Sequence, residues 1–341
     1  MARTKKKKSA LPKIILVTIV LLAAIVGFLA FGPNTTRDKY IFVHTGSTYD
    51  KLIEELKDEG VITSTFTFNI LANVAQLPSH IKPGRYQVKR FMSNYELVKM
   101  LRQGRQTEVK LVLNKYRLKR DLAHFMGTNL EIDSTELLTK LNDPTFCAQY
   151  NLDTNTILAL FIPNSYEFYW NTNIENVLKK ISKNYQHYWS EERKQKAQKL
   201  GLKPEEVITV ASIIEEETNS SEDKPNIASV YLNRLKKGMK LQADPTVKYA
   251  VGDFNIRRIG GAMLGNQSPY NTYQHQGLPP GPICTPSPAT IDAVLDAPQT
   301  KYIFFCAAPD LKGGSVFAAT DAEHLKNARA YQKALNERGI H

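Results

Sequence analysis

Val207-Ile208-Thr209-Val210-Ala211-Ser212-Ile213-Ile214-Glu215-Glu216-Glu217-Thr218 carries an apolar helical pattern straight into three consecutive carboxylates. At about 100° per residue, Val207, Val210, Ile214 and Glu217 fall on one side, Glu215 on the flank and Glu216 away from it. A carboxylate on the stripe that faces a core is costly unless it is paired, bound or used. Glu217 is therefore the residue to explain. Near the C-terminal end of a helix the macrodipole disfavours negative charge. Apolar neighbours such as Val210, Ile213 and Ile214 disfavour it too. Both effects favour a protonated carboxyl at neutral pH, the state a general acid needs when it acts on a glycosidic oxygen. The pattern also admits a structural reading, in which Glu217 pairs with an Arg or Lys at a domain seam.

The chain has 341 residues, enough for two or three units with cores of their own. A hydrophobic fraction of 42% and a charged fraction of 23% argue against bulk disorder. The net charge of +12 would suggest nucleic acid, but six of those charges are Arg3, Lys5, Lys6, Lys7, Lys8 and Lys13. Without them 39 basic residues face 33 acidic ones, a net of +6. That is too mild for a nucleic-acid-binding face, and no nucleic-acid partner is expected.

Behind the basic head, residues 14–31 are apolar except for Thr18 and Gly27, and Gly32-Pro33 follows. About 20 apolar residues span a bilayer, so a transmembrane helix over residues 14–32 is expected. The basic cluster puts residues 1–13 in the cytoplasm and everything after Pro33 outside a cell membrane. The run is longer than a signal-peptide core and no A-x-A site follows, which favours an uncleaved anchor. Cys147, Cys284 and Cys306 are odd in number and widely spaced, so they read as small buried or partly buried thiols. With the seven His they make no ligand spacing, and no metal is expected.

Residues 38–106 read as a small α/β module. Tyr40-Ile41-Phe42-Val43 is a strand candidate, and Ser47-Thr48-Tyr49-Asp50 opens a helix stopped at Gly60. A second helix is expected over 67–75, a turn at Pro83-Gly84, a strand over 85–88 and a third helix over 94–102 ending at Gly104. Residues 107–341 form a larger α+β part. It opens on a strand at Lys110-Leu111-Val112-Leu113, and several helices follow between 118 and 198. Residues 161–170, dense in aromatics around Pro163, read as a loop against a cleft or, alternatively, as a core loop with aromatic filler. A polar link over 219–223, a helix over 225–237 ending at Gly238, and a buried strand at 302–307 complete the reading.

Three groups of residues suit carbohydrate. Glu217 is the candidate acid. Asn233 and Arg234 precede Gln242, Asp244 and Thr246, whose alternation would set amide, carboxylate and hydroxyl on one face of a strand-like segment. Asp244 before Pro245 suits an extended or turn conformation. Tyr270, Asn271 and Tyr273 offer aromatic faces and polar tips in one loop. Turn capping, and a loop pinned to the core by its tyrosines, are the structural alternatives for these last two groups.

The order and spacing of Ala211–Thr218, Val230-Tyr231-Leu232-Asn233-Arg234-Leu235, Gly238–Val247, Tyr270-Asn271-Thr272-Tyr273 and Gly277-Leu278-Pro279-Pro280-Gly281-Pro282-Ile283 resemble the MltG/YceG family of endolytic murein transglycosylases. The resemblance runs from about Phe42 to the C-terminus and includes the single N-terminal anchor. It implies an α+β protein with one transmembrane helix, a LysM-like module and a catalytic domain, and it matches the family's catalytic acid to Glu217. Two departures stand out. Pro163-Asn164-Ser165-Tyr166 stands where the family usually has Pro-Asp-Thr-Tyr, and Leu113-Asn114-Lys115 lacks a common acidic residue.

The resemblance further implies cleavage between N-acetylmuramic acid and N-acetylglucosamine inside peptidoglycan glycan strands, leaving a 1,6-anhydro end. Asn233, Arg234, Gln242 and Asp244 would position the substrate, Glu215 and Glu216 would be solvated or supporting charges, and no cofactor is implied. Peptidoglycan synthases are a further expected partner. Two rival readings remain at this point: a hydrolytic muramidase in which Asp244 or Glu216 activates water beside Glu217, and a non-catalytic glycan-binding scaffold.

Overall fold

Caps and left-handed glycines end the elements of this chain where the sequence places its Ser, Thr, Asp and Gly punctuation. The computed structural model describes residues 11–339 except Arg257. Arg3 and Lys5–Lys8 of the basic head therefore lie outside the described residues. The described chain falls into two units, one ending at Val109 and taking in Glu167–Thr172, the other made of Lys110–Tyr166 and the residues from Asn173 on.

The first unit opens with α1 (Leu11–Phe31), long and apolar enough to cross a membrane. Strand β1 (Lys39–Val43) alternates, with Ile41 and Val43 buried and Tyr40 and Phe42 exposed. It is followed by α2 (Tyr49–Asp58), capped by the Thr48 hydroxyl, and α3 (Thr65–Val74), capped by Ser64. Strand β2 (Gly84–Val88) returns antiparallel to β1, from Lys39 opposite Val88 to Val43 opposite Gly84. A capping box of Ser93 and Glu96 starts α4 (Asn94–Gln103), and Gly104 ends it at φ 68°, where a side chain would be strained. Leu52, Leu56, Phe68, Leu97 and Leu101 fill the core between sheet and helices.

Strand β3 (Val109–Val112) stands at the boundary, and the second unit runs on from Lys110. Helices α5 (Lys119–Asn129), α6 (Ser134–Leu141) and α7 (Pro144–Ala148) come next, then β4 (Ser165–Phe168), which pairs with β3. The 161–170 segment is thus partly strand. Phe161, Ile162, Tyr166, Phe168 and Trp170 are buried and Tyr169 is exposed, so four of its five aromatics pack as core filler, the second of the two expected readings. Helices α8 (Ile174–Tyr188) and α9 (Glu191–Lys199) lead to α10 (Pro204–Glu217).

Helix α10 is the axis of this unit. Residues 207–214 are all buried, because α9, α11 (Lys224–Lys236), α12 (Asp244–Val251) and α13 (Pro288–Leu295) pack against it. Its enclosure corrects the one-sided stripe expected from periodicity: Thr209 and Ser212 are as buried as Val210. Ser212 is satisfied by donating to Thr209 O (2.7 Å) and accepting from Ile283 N (3.0 Å), which lays the Gly/Pro-rich segment on the helix. Gly281 in that segment is needed for close approach, since a Cβ would collide with the Asn155 carbonyl.

Two more expectations change. Gln242-Ala243-Asp244-Pro245-Thr246 is not strand-like: Gln242 turns at φ 52° and Asp244 opens α12 with Pro245 in its first turn, where a missing N–H costs nothing. The 302–307 segment contributes β5 (Phe304–Ala307), half-buried rather than buried, in a hairpin with β6 (Ser315–Ala318). Helix α14 (Asp321–Glu337) packs on that hairpin.

Because α10 is enclosed on every side, Ile213→Ala should cost about 2–5 kcal/mol. Leu325→Ala on exposed α14 should stay within about 0.5 kcal/mol. Urea unfolding of the full chain in detergent measures both.

Candidate functional site

The three glutamates that end α10 meet three different environments. Glu215 accepts from Lys224 Nζ (3.0 Å) and Ser287 Oγ (3.0 Å), and from the Thr290 hydroxyl. Glu216 accepts from Arg117 in a two-pronged contact (3.0 and 2.7 Å) and lies 3.0 Å from Lys115 Nζ. Burial by itself would raise both carboxyls, but these hydrogen bonds and cations outweigh it and hold both below the usual range. Neither is solvated: each is a partly buried structural ion pair. Lys115, where the family pattern departs, is one of the cations that holds Glu216.

Glu217 differs. The residue keeps some surface, yet its Oε2 is buried and has no hydrogen-bond partner among the described residues. Its carboxyl is pushed up to about 7, first by burial, then by the negative charge of Asp244, with Lys248 opposing. Among the described residues no cation sits on it as Lys224 sits on Glu215. The seam ion pair allowed by the sequence is thus absent from Glu217 and present on its two neighbours.

Around Glu217 the fold gathers some of the expected residues. Asp244 is exposed at the first position of α12 and accepts from Tyr273 Oη at 2.7 Å. The contact exists because the 271–273 loop is zipped to the start of α12. Gln242 N donates to Thr272 O (3.2 Å), Ala243 N to Thr272 Oγ1 (3.0 Å), and the Thr246 and Thr272 hydroxyls meet at 2.8 Å. Tyr273 feels both Asp244 and Glu217, and with burial they raise its phenol. Fully buried Tyr231, one turn before Arg234 on α11, lies in the same field.

Other expected sugar-binding residues are spent inside the protein. Thr246 and Asn271 have no exposed surface. Asn271 donates to Leu264 O and Asn266 O and accepts from Tyr273 N. Asn233 donates to Thr300 O and Tyr302 O. Buried Arg234 donates to Ile303 O (2.7 Å) and Leu241 O (2.8 Å). Asn233 and Arg234 thereby tie α11 to the segment entering β5, Arg234 also ties it to the segment before α12, and Asn271 holds its own loop, because a buried donor must find an acceptor. Tyr270 leans on Tyr249 at 4.7 Å, and exposed Gln242 accepts from Arg234 Nη1 at 3.3 Å. Of the group, Asp244 and Tyr273 keep accessible surface and act on the acid, while Gln242 is exposed beside Arg234 and Tyr270 rests on Tyr249 of α12.

Glu217 opens on a groove of about 490 Å³ whose other wall is the β5–β6 hairpin: Phe305, Cys306, Ala307 and Ala308, then Gly313, Gly314 and Ser315, with Tyr331 of α14. Sequence reasoning missed this wall and missed Lys248. The Gly313-Gly314 pair between two apolar runs signals a hairpin. The spacing of Asp244 and Lys248 is the i,i+4 pattern of one helix face, hidden by the strand-like reading. At the other departure from the family pattern, Asn164 accepts from Ser165 N and donates to Asn184, so the amide does local capping work.

The raised Glu217 carboxyl has a sign. Its protonated form is favoured by folding, so its contribution is full below about pH 4.5 and is lost as pH rises through about 7. Glu217→Gln should therefore gain on the parent by about 3 kcal/mol between pH 4.5 and 8, read from paired denaturation curves.

A YceG-like family model matches residues 41–330. An endolytic murein transglycosylase of Bacillus subtilis strain 168 is 30% identical over 314 residues, covering 87% of this chain and 86% of its own length. One of Streptococcus pneumoniae serotype 2 strain D39 is 26% identical over 335 residues, with 88% of this chain and 59% of that longer protein covered. The crystal structure of a YceG-like protein from Listeria monocytogenes superposes with a TM-score of 0.58 at 27% identity, over 85% of this chain and 98% of that one. With nearly its whole length after the apolar helix matched in this way, the chain belongs to the YceG-like family.

Proposed function

We propose that this chain is a membrane-anchored endolytic lytic transglycosylase of peptidoglycan, with Glu217 as its acid and base. The observation that carries the reading is the Glu217 carboxyl on a groove, its buried Oε2 unpartnered among the described residues and its proton affinity raised to about 7, in a chain of this family. A carboxyl so placed is substantially protonated at neutral pH. It donates to the leaving O4 of N-acetylglucosamine as the bond from C1 of N-acetylmuramic acid breaks. The carboxylate left behind takes the proton of the muramyl C6 hydroxyl while O6 bonds to C1. The products are a 1,6-anhydromuramyl end and a free O4 hydroxyl, and Glu217 is again protonated.

The substrate supplies its own nucleophile, so no second carboxylate has to activate water. Glu216, held by Arg117 and Lys115, is poorly placed for that role, which weakens the hydrolytic alternative. Asp244, fixed by Tyr273, acts on Glu217 with a negative charge, which also suits the positive character developing at C1. Residues 107–341 are read as the catalytic domain. Residues 38–106, with two helices between paired antiparallel strands, are read as a LysM-like module that binds or orients glycan. By the positive-inside tendency, residues 1–13 are read as cytoplasmic and the groove as outside, near emerging glycan and its synthases.

Mass spectrometry of glycan treated with the full chain in detergent tests the reaction. Anhydro ends, one water lighter than hydrolysed ends, are expected, with Glu217→Gln reducing them by about 100-fold or more. Hydrolysed ends would make the protein a muramidase, and cleavage equal in both proteins would remove Glu217 from the chemistry. The rate should fall as pH rises above about 7, where the acid loses its proton. Asp244→Asn removes a charge that raises Glu217, so its alkaline limb should move to lower pH.

A further inference from the structure

Helix α3 has apolar residues on two opposite faces. Phe68 and Ala72 point into the core at 0% exposure, while Phe66, Ile70 and Val74 stand outward at 72%, 45% and 77%. Four-residue spacing makes the outward three one stripe, and residues 65–74 include no charged side chain. A helix that borders water ordinarily carries charge on its outer face. A contiguous apolar patch calls for a partner.

The position of α1 identifies that partner. Its last turn touches α3 and α4, and the Leu29 carbonyl accepts from Asn94 Nδ2 (2.9 Å) at the start of α4. Asn94 also donates to Thr67 Oγ1 (3.1 Å) and accepts from Asn34 (2.6 Å). The first turns of α3 and α4 are thereby tied to the level of Leu29, two residues from the end of α1. A 21-residue helix is about 32 Å long, close to a hydrocarbon core of about 30 Å. That level is therefore the edge of the hydrocarbon. Phe31 and Tyr95 meet there at 5.3 Å, Lys99 lies over Tyr95 (5.4 Å), and Arg90 lies over exposed Phe91 (4.4 Å). Aromatic rings bordered by cations suit a phospholipid interface.

We infer that the outward stripe of α3, with Tyr95 and Phe91 beside it, lies in the outer leaflet of the membrane that α1 crosses, among phospholipid headgroups and upper acyl chains. The small module then rides on the bilayer instead of swinging on a tether. The inference rests on the proposed anchoring by α1.

Tryptophan depth quenching tests it with the full chain in vesicles of phosphatidylcholine and phosphatidylglycerol, with or without bromine on the acyl chains. The native Trp170 and Trp189 are buried, and their signal is subtracted using the parent chain. Phe66→Trp should add blue-shifted emission that brominated lipid lowers about twofold, whereas Lys51→Trp on exposed α2 should be red and unquenched. Val20→Trp in α1 reports on the anchor alone. Quenching at Val20 without quenching at Phe66 overturns the inference and leaves the anchor standing. No quenching at Val20 removes the anchoring and the inference together. Blue-shifted but unquenched emission at Phe66 that grows with protein density would assign the stripe to a second copy of the chain and also overturn it.

Discussion

A carboxylate at the end of a helix packed on all sides has little water to solvate its charge, and the rest of the second unit is arranged around that fact. Three such groups follow one another at the end of α10. Lys224 with two hydroxyls answers the first, and Arg117 with Lys115 answers the second. These partners come from β3's trailing segment, α11 and α13, so neutralising Glu215 and Glu216 also draws those elements onto the helix. The third group is left without a cation, and burial moves its proton affinity to about 7.

The same logic explains the side chains that stand behind the site. Arg234 and Asn233 saturate carbonyls of the segment that enters β5, and Thr246 with Thr272 locks the 271–273 loop to α12. Together they fix the hairpin wall of the groove and the Tyr273–Asp244 contact. A reactive carboxyl needs rigid surroundings, because its proton affinity depends on how well water is excluded and on where Asp244 and Lys248 stand.

In the first unit a neutral network does the equivalent work. Asn34 and Asn94 join the end of α1 to the starts of α3 and α4 through buried amide hydrogen bonds. Those bonds let an apolar helix continue into a compact module without a loose linker. They also set the level of the uncharged outer face of α3 relative to the end of α1.

Local signals in the chain determined a good deal. The 14–31 run, the Thr48 and Ser93 caps, the Gly60 and Gly104 stops and the alternation of Tyr40 to Val43 settle the elements of the small module, because each depends only on neighbours a few residues away. The singling out of Glu217 from its neighbours also came from sequence, although by an argument from one helix face that the enclosed α10 does not obey. Only the tertiary structure decided which glutamates are paired, since Lys115, Arg117 and Lys224 reach them through the fold and not through spacing. It also decided that Gln242 to Thr246 is a turn into a helix, that Asn233, Arg234, Thr246 and Asn271 face inward, and that the 313–315 hairpin closes the groove. Burial and pairing are properties of what surrounds a residue in space, and sequence period records only its immediate neighbours on one element.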